Sequence, residues 1–190
     1  MVILGIETSC DETAVGIIEA KTKDEPVRLL ANINPSSLSL HAKTGGIIPE
    51  IAAREQIKYI IPVINEALEK AGIPAAEAKQ HIDAIAVTYG PGLIGSLLVG
   101  VETAKTLALT WNKPIIPVNH LFGHIYANWI QQSTTYNLQP ITFPALALIV
   151  SGGHTDLVVL HDHKQITWLG GTRDDAAGEA FDKIGRLLGL

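Results

Sequence analysis

The sequence predicts a duplicated α/β fold, because one order of elements occurs twice along its 190 residues. In the first copy, "VILGIETSCDETAVGIIEA" predicts two apolar strands joined by a polar turn, and "VRLLANI" follows as a third strand before a long helical pattern. The second copy begins at "FPALALIV" and repeats strand, glycine-containing turn, strand, strand and helix. Each copy therefore predicts a meander and a helix, and the two polar turns are expected to face a shared cleft.

The first copy continues beyond its meander. Apolar residues at helical spacing between Ile51 and Leu68 predict a helix that ends at Gly72, and Pro62 is expected to kink it. A buried strand, a tight glycine loop, a second helix and a short strand then lead into a segment with two histidines. The stretches that predict these elements are "HIDAIAVTYG", "GPG", "LIGSLLVGVETAKTLALTW" and "KPIIPVNH".

The two copies predict two subdomains, residues 1–131 and residues 141–190, joined by the polar linker "QQSTTYNLQP". The second copy ends after its first helix, without counterparts of the strands and helices that complete the first copy. We therefore expect the chain to be the amino-terminal part of a longer protein, with an incomplete second subdomain. A natural protein of one and a half domains stays open as the alternative.

Composition narrows the classes of function. The net charge of −5 and the scattered 14 Lys and Arg argue against a domain that holds nucleic acid by electrostatics alone, because phosphate contacts dominate such binding. The amino terminus lacks the basic region of a signal peptide, and no apolar run approaches the ~20 residues of a membrane span. A single cysteine, Cys10, excludes an intramolecular disulfide. We expect a cytoplasmic protein without membrane contact.

The segment "VNHLFGHIYANW" contains His120 and His124, whose spacing of four places both imidazoles on one face of a helix. Neutral imidazoles suit iron or zinc, but a catalytic metal site typically has three protein ligands. Because 7 histidines in 190 residues can give this spacing by chance, a pair of exposed or hydrogen-bonded histidines stays open from the spacing alone.

Three other polar stretches are candidates for binding or for structure. Gly152 and Gly153 follow a strand, where missing side chains let backbone N–H groups approach a phosphate, or where they form a plain hairpin turn. Asp174 and Asp175 stand near the start of the last helix and are interpreted as ordinary capping residues. Cys10 is interpreted as a small buried residue at a strand end rather than as a nucleophile.

Six stretches of the sequence, in this order, resemble those of a known family: "GIETSCDETAVGI", "HAKTGGIIPEIAAR", "GPGLIGSLLVG", "HLFGH", "VSGGHT" and "DDAAGEAFDK". Together they resemble the amino-terminal part of the tRNA adenosine threonylcarbamoyltransferases, long labelled glycoprotease or O-sialoglycoprotein endopeptidase. The resemblance implies the duplicated, ribonuclease H-like fold of actin, hexokinase and the heat-shock ATPases. That fold agrees with the repeat described above.

The resemblance also implies a reaction and its partners. The reaction transfers a threonylcarbamoyl group from threonylcarbamoyl-AMP to the exocyclic amine of the adenosine next to the tRNA anticodon. The implied partners are the tRNA substrate, a shorter paralogous subunit, an ATPase subunit and a separate enzyme that makes the adenylate. The helix surface that pairs with the paralogue can also mediate a homodimer.

Site residues follow from the same resemblance. His120 and His124 match the family's ligands for one iron or zinc ion, and the third ligand is an aspartate from the carboxy-terminal part of the family, outside this chain. Asp11 and Glu12 are catalytic candidates that orient the adenine amine or accept its proton, with solvated turn carboxylates as the alternative. The residues implied to bind the substrate, including an ATP- or AMP-type nucleotide, are Ile149, Val150, Ser151, Gly152, Gly153 and Asp182.

Two positions depart from the family pattern, since Phe122 replaces an acidic residue frequent between the histidines and Gln56 replaces a frequent histidine. Without the third metal ligand, this chain alone is expected to be inactive. The rival interpretations are a non-catalytic paralogous subunit and a metalloprotease. Leu121 counts against the protease, because zinc proteases with paired helical histidines carry their general-base glutamate at that position.

Overall fold

The computed structural model describes residues 1–21, 27–35, 48–131 and 141–189. The chain divides into two compact units, Met1–Thr135 and Tyr136–Leu190. The predicted linker between the subdomains, residues 132–140, lies outside the described residues. Within the part that the structure describes, no helix combines the length and the apolar content that a bilayer crossing requires.

Six strands form the sheet of the first unit, in the order β5-β4-β1-β2-β3-β6. They are β1 (Val2–Glu7), β2 (Ala14–Glu19), β3 (Val27–Ile33), β4 (Ala84–Gly90), β5 (Ile115–Asn119) and β6 (Ile130–Gln131). β2 runs antiparallel to both β1 and β3, which confirms the predicted meander. β4 pairs with β1 and β5 with β4 in parallel, so the carboxyl ends of these three strands lie at the same edge of the sheet.

The helices of the first unit are α1 (Pro49–Lys70), α2 (Ala78–His81), α3 (Ile94–Trp111) and α4 (His120–Tyr126), with 3₁₀ turns at Ala75–Glu77 and Ala127–Trp129. α1 continues through Pro62 as one helix and ends before Gly72, which adopts the left-handed backbone (φ 72°) that glycine tolerates best. The sequence patterns do not single out β6 or the elements of residues 75–81, because so few residues show no hydrophobic period.

Apolar side chains of the sheet and of α1 form the core of the first unit. Those that are fully buried include Leu4, Ile17, Leu68 and Ile85, and Ile82, which precedes β4, packs with them. Burial of each such side chain stabilises the fold by roughly 1.5–3 kcal/mol. α3 packs closely against the end of β1, since a Cβ added at Gly100 would lie 2.3 Å from the Oγ1 atom of Thr8. The small residues of α3 therefore let this helix approach the sheet.

The second unit repeats the order of the first. β7 (Ala145–Val150), β8 (Thr155–Leu160) and β9 (Ile166–Gly171) form an antiparallel sheet in sequence order, and α5 (Ala177–Leu188) follows. Both neighbouring pairs of strands are antiparallel. The predicted repeat of a three-stranded meander followed by a helix is therefore confirmed.

The start of α5 corrects one prediction. The helix begins at Ala177, and neither Asp174 nor Asp175 caps it with a side chain. Instead, its first two backbone N–H groups donate to the Oγ1 atom of Thr155 over 2.9 Å and to the carbonyl oxygen of Ser151 over 3.1 Å. The capping interpretation is wrong because Ser151 of the β7–β8 loop and Thr155 at the start of β8 already satisfy these amides.

Candidate functional site

Asn119 starts the helix that carries both predicted metal ligands. Its Oδ1 atom accepts hydrogen bonds from the backbone N–H groups of Leu121 over 2.9 Å and Phe122 over 3.4 Å, as an N-cap residue does. α4 therefore begins at His120 and places His124 one turn later. The Nε2 atoms of the two histidines lie 3.1 Å apart, and their rings cross at 83°. The structure thus brings the two imidazoles together.

The separation of the two Nε2 atoms fits one shared metal ion. Zn–N bonds of about 2.0–2.1 Å hold two ligand nitrogens roughly 2.9–3.4 Å apart at octahedral and tetrahedral angles. The 3.1 Å between the Nε2 atoms of His120 and His124 falls in that range. Among the described residues, no group of three or more His, Cys, Asp or Glu side chains is placed to bind a metal. The pair therefore places two nitrogen atoms at a separation that one ion can bridge.

Glu7 lies behind His120, at the carboxyl end of β1. Its Oε2 atom is 3.1 Å from the Nδ1 atom of His120 and accepts a hydrogen bond from the hydroxyl of Thr88, while its Oε1 atom accepts one from the backbone N–H of Ser9. Burial raises the pKa of the Glu7 carboxyl, but hydrogen bonds from His120, Ser9 and Thr88 outweigh burial and lower that pKa to about 2. Glu7 is therefore an anionic acceptor beside the histidine pair.

Parallel strands bring these residues together from distant parts of the sequence. Glu7 ends β1, Thr88 lies near the end of β4 and His120 follows β5, and these strands are neighbours in the sheet. The carboxyl edge of parallel strands is where ligands bind in open α/β sheets. The sequence patterns do not single out Glu7, Ser9 or Thr88 as site residues. The signal that points to them is their position where apolar strands end.

The loop between β4 and α3 fixes the turn that follows β1. The backbone N–H of Leu93 donates to the carbonyl oxygen of Ser9 over 2.7 Å. Gly92 approaches so closely that an added Cβ would lie 2.3 Å from the same oxygen. The hydroxyl oxygen of Ser9 lies 3.1 Å from the Nδ1 atom of His120. The loop therefore holds Ser9 in place beside the histidine pair.

Gln56, on α1, holds the turn that carries Asp11 and Glu12. Its side chain is buried, and its Nε2 atom donates to the carbonyl oxygens of Cys10 over 3.1 Å and Glu12 over 2.8 Å. Its Oε1 atom is also buried and has no hydrogen-bond partner within residues 1–21, 27–35, 48–131 and 141–189. Two carbonyl acceptors require the amide nitrogen to face the turn. Gln56 therefore fixes the backbone on both sides of Asp11.

Asp11 and Glu12, the predicted catalytic candidates, lie in this turn of the first unit. Asp11 is half-buried, whereas Glu12 is exposed and its Oε2 atom accepts a hydrogen bond from the Nδ2 atom of Asn34 over 2.9 Å. The turn between β1 and β2 carries both carboxylates together with Ser9, which contacts His120. The structure therefore places the two candidates on the same short turn as a neighbour of the histidine pair.

Cys10 is exposed, which corrects its interpretation as a buried residue. The reason is that β1 ends at Glu7, so Cys10 belongs to the turn and not to the strand. Partial desolvation raises the pKa of the Cys10 thiol, and the hydrogen bond and negative charge of Asp11 raise it further. The pKa of this thiol is about 11. The thiol is therefore neutral at physiological pH and a poor nucleophile.

The glycine loop of the second unit joins β7 to β8. The backbone N–H of Ser151 donates to the carbonyl oxygen of His154 over 2.8 Å, and the N–H of His154 donates to the Ser151 hydroxyl over 3.0 Å. Gly152 and Gly153 are exposed, and a Cβ added at either would meet no described atom within 4 Å. Packing within the described part of the chain therefore does not require glycine at these two positions.

The other predicted substrate-binding residues of the second unit differ in burial. Ile149 is buried in β7, and Val150, the last residue of that strand, is exposed. Asp182 is exposed on α5. The neighbouring Lys183 forms an ion pair with Asp175, with 2.7 Å between Nζ and Oδ1. Asp175 thus pairs with the middle of α5 instead of capping its start.

An apolar groove runs between α1 and α3 of the first unit. Exposed apolar side chains line it, among them Ile57, Ile94 and Leu98. Charged residues, including Glu50, Arg54 and Glu102, also line it. Contiguous apolar surface with a polar rim is typical of a protein interaction site.

Comparison with known sequences identifies a family. Residues 28–190 match the sequence model described as tRNA N6-adenosine threonylcarbamoyltransferase. Proteins of that name from Thermomicrobium roseum and Staphylococcus aureus (strain N315) are 56% and 50% identical to this chain. The alignments cover 100% of this chain, but only 50% and 51% of the two relatives. The chain thus spans about half the length of the curated relatives it matches, and their names favour neither a non-catalytic subunit nor a metalloprotease.

Comparison with solved structures concerns the fold. A Pseudomonas aeruginosa protein, described as uncharacterized and similar to peptidase YEAZ, matches with a TM-score of 0.51 and 16% identity, over 89% of this chain and 63% of that protein. At this identity the likeness carries over the fold alone. Together with the family match and the observed repeat, it confirms the predicted class, a duplicated α/β fold of the actin, hexokinase and heat-shock ATPase type.

Proposed function

Because this chain belongs to the tRNA N6-adenosine threonylcarbamoyltransferase family, we propose that it forms the metal-binding part of a tRNA-modifying enzyme of the cytoplasm. The proposed reaction transfers a threonylcarbamoyl group from threonylcarbamoyl-AMP to the exocyclic amine of the adenosine next to the anticodon. The observation that carries the proposal is the pair of Nε2 atoms of His120 and His124, 3.1 Å apart and backed by Glu7.

The histidine pair is suited to one iron or zinc ion. The family is metal-dependent in general, and neutral imidazoles prefer these two metals. His120 and His124 would hold the ion with a further ligand from outside the described residues. Held there, such an ion would supply Lewis-acid chemistry toward an oxygen of the adenylate.

The turn after β1 supplies carboxylates for the proton transfer. In the proposed reaction the adenine amine attacks the carbamoyl carbon, the bond between that carbon and the phosphate oxygen breaks, and AMP leaves. Asp11 or Glu12 accepts the proton that the amine loses. Gln56 holds the backbone on both sides of Asp11, which supports a role for this turn in orienting the carboxylates before substrate binds.

The second unit is proposed to bind the nucleotide part of the adenylate, or an ATP-type nucleotide. The exposed glycines Gly152 and Gly153 let backbone N–H groups approach a phosphate. Asp182, exposed on α5, is suited to accept hydrogen bonds from ribose hydroxyls. The adjoining residues of the proposed nucleotide loop are Ile149, Val150 and Ser151.

The proposed enzyme requires partners, because a net charge of −5 gives this chain little electrostatic attraction for tRNA. We assign the groove between α1 and α3 to a shorter paralogous subunit, and we expect an ATPase subunit in the same assembly. The exposed apolar side chains of Ile57, Ile94 and Leu98 support the assignment. A second copy of this chain is the competing occupant.

Replacing Leu98 with glutamate should weaken binding of the paralogue about ten-fold or more, because a charge would be buried in an apolar contact. Leu109→Glu is the matched control, since Leu109 also lies exposed on α3 but does not line the groove. Calorimetry with the shorter paralogue encoded by the same genome measures both. Equal affinities of Leu98→Glu and Leu109→Glu for the paralogue would contradict the assignment. A wild-type chain that forms a homodimer and does not bind the paralogue would also contradict it.

A fusion of this chain to the further half of the Staphylococcus aureus relative tests the reaction, because the chain aligns with 51% of that relative. In cells depleted of their own transferase, we expect the fusion to restore threonylcarbamoyladenosine in tRNA, measured by mass spectrometry of digested tRNA. The same fusion with His120→Ala should restore none. His81→Ala, which removes an exposed histidine of α2, should restore the wild-type amount. Full restoration by the His120→Ala fusion would contradict the proposed role.

A further inference from the structure

We propose that Glu7 is a positioning residue that fixes the tautomer of His120 and leaves the Nε2 atom of that ring unprotonated for a metal ion. The inference rests on the metal-binding part of the proposed function and not on the transfer reaction. Glu7 acts through His120, and it contacts neither the substrate nor the ion in this role.

The direction of the hydrogen bond between Glu7 and His120 follows from what each group can donate. A carboxylate only accepts, and its Oε2 atom lies 3.1 Å from the Nδ1 atom of His120. The Ser9 hydroxyl, also 3.1 Å from Nδ1, can donate or accept, whereas the carboxylate would oppose a lone pair on Nδ1 with its own charge. The contact with Glu7 therefore favours a proton on Nδ1. A neutral imidazole has one N–H, so the Nε2 atom keeps its lone pair. This is the atom that lies 3.1 Å from the Nε2 atom of His124.

The carboxylate of Glu7 accepts a hydrogen bond on each of its two oxygens from the protein itself. The backbone N–H of Ser9 donates to Oε1, and a peptide N–H is a donor only. The hydroxyl of Thr88, on the neighbouring strand β4, donates to Oε2. Thr88 is buried, and the loop at Gly92 and Leu93 fixes Ser9. These contacts orient the carboxylate so that its Oε2 atom faces His120.

Glutamine at position 7 would reverse the tautomer of His120. Its single oxygen must face the Ser9 N–H, because an amide NH₂ group there would oppose one donor with another. The NH₂ group then faces His120 and donates to the Nδ1 atom. The proton of the neutral ring moves to Nε2, the atom that a metal ion needs. Glutamine has nearly the same size and shape as glutamate. The Glu7→Gln substitution therefore separates the positioning role from a role in packing.

The alternative role for Glu7 is structural, as an acceptor that secures the end of β1. That role requires no particular tautomer of His120 and predicts no loss of metal affinity in a variant that keeps the fold. Carboxylates that orient metal-binding histidines typically contribute 10–100-fold to metal affinity. Ring-nitrogen chemical shifts and metal affinity therefore distinguish the two roles, whereas stability alone does not.

The experiment uses this chain labelled with ¹⁵N and without metal, above pH 8, and long-range ¹H–¹⁵N NMR spectra that show which ring nitrogen carries the proton. We expect Nδ1–H for His120 in the wild-type chain and Nε2–H in Glu7→Gln. Titration calorimetry with Zn²⁺ alone should show at least a ten-fold weaker affinity for Glu7→Gln. Glu19→Gln is the matched control, because it removes the same charge at a distance from the histidine pair. Glu19 lies on β2 opposite Val2, at the other end of β1 from Glu7.

A wild-type chain with His120 protonated at Nε2 would overturn the proposal, and this measurement needs no variant to fold. A Glu7→Gln chain that keeps its backbone spectrum and binds Zn²⁺ as tightly as Glu19→Gln would also overturn it. The transfer reaction and the role of Glu7 can be contradicted independently of each other. If the fusion modifies no tRNA while this chain shows the Nδ1–H tautomer and the ten-fold loss in Glu7→Gln, the transfer reaction is contradicted and the role of Glu7 is supported.

Discussion

Replacing His124 with alanine is expected to weaken zinc binding by this chain about 100-fold or more, because the second ligand of a linked pair binds intramolecularly. The Nε2 atoms of His120 and His124 lie 3.1 Å apart on one short helix. An ion bound by one imidazole therefore reaches the other without a change in α4. Titration calorimetry with Zn²⁺ in a buffer that does not chelate metals measures the loss.

His81→Ala is the matched control for this prediction. His81 is an exposed histidine on α2, and its Nε2 atom faces the carboxylate of Glu77 at 3.6 Å. We expect its removal to leave the zinc affinity unchanged. A protonated imidazole cannot bind a metal ion, so the affinity of the wild-type chain and of His81→Ala should decrease together as the pH is lowered. One tightly bound equivalent that survives His124→Ala would show that another site holds the zinc.

The elements of this fold are predictable because their signals are local. Alternating burial along β1 and β2 and the helical period of α1 each fit within a short stretch of sequence. The repeat of strand, turn, strand, strand and helix in the second unit is equally local. The spacing of His120 and His124 predicts a shared helix face for the same reason, since one turn of helix is enough to define it.

The surroundings of the histidine pair could not be predicted in the same way. Glu7 and His120 are 113 positions apart in the sequence, and they meet only because β1, β4 and β5 are neighbours in the sheet. Gln56 reaches Cys10 across 46 positions for a similar reason, through the packing of α1. The roles of Asp11 and the other carboxylates stay predictions, because those roles depend on a bound substrate.

The two corrected interpretations share a physical cause. Asp174 and Asp175 have the local propensity of capping residues, but the first amides of α5 donate to Ser151 and Thr155 instead. Cys10 follows an apolar strand and has a side chain that is often buried, but the strand ends three positions earlier. Local propensity was outweighed in the first case by a tertiary contact, and in the second by where the backbone leaves the sheet.

Gly92→Ala is expected to lower the free energy of unfolding of the first unit by about 1–3 kcal/mol, as overpacking does in a close contact. The added Cβ would lie 2.3 Å from the carbonyl oxygen of Ser9, 2.8 Å from its Cβ and 3.0 Å from its carbonyl carbon. Two of these are backbone atoms, which cannot rotate away. The same oxygen accepts a hydrogen bond from the N–H of Leu93 over 2.7 Å. A shift of the turn away from the added Cβ would therefore lengthen or break that hydrogen bond.

Displacement of Ser9 should also reach the histidine pair, because its N–H donates to Glu7 and its hydroxyl oxygen lies 3.1 Å from the Nδ1 atom of His120. We therefore expect a weaker zinc affinity in Gly92→Ala. Gly123→Ala is the matched control: an added Cβ there meets no described atom within 4 Å, and alanine inside a helix stabilises it by about 0.5–1 kcal/mol. Urea titration followed by NMR signals of β1 reports the first unit alone. A Gly92→Ala chain with the urea midpoint and zinc affinity of the wild-type chain would show that the loop accommodates the added methyl group without loss of stability.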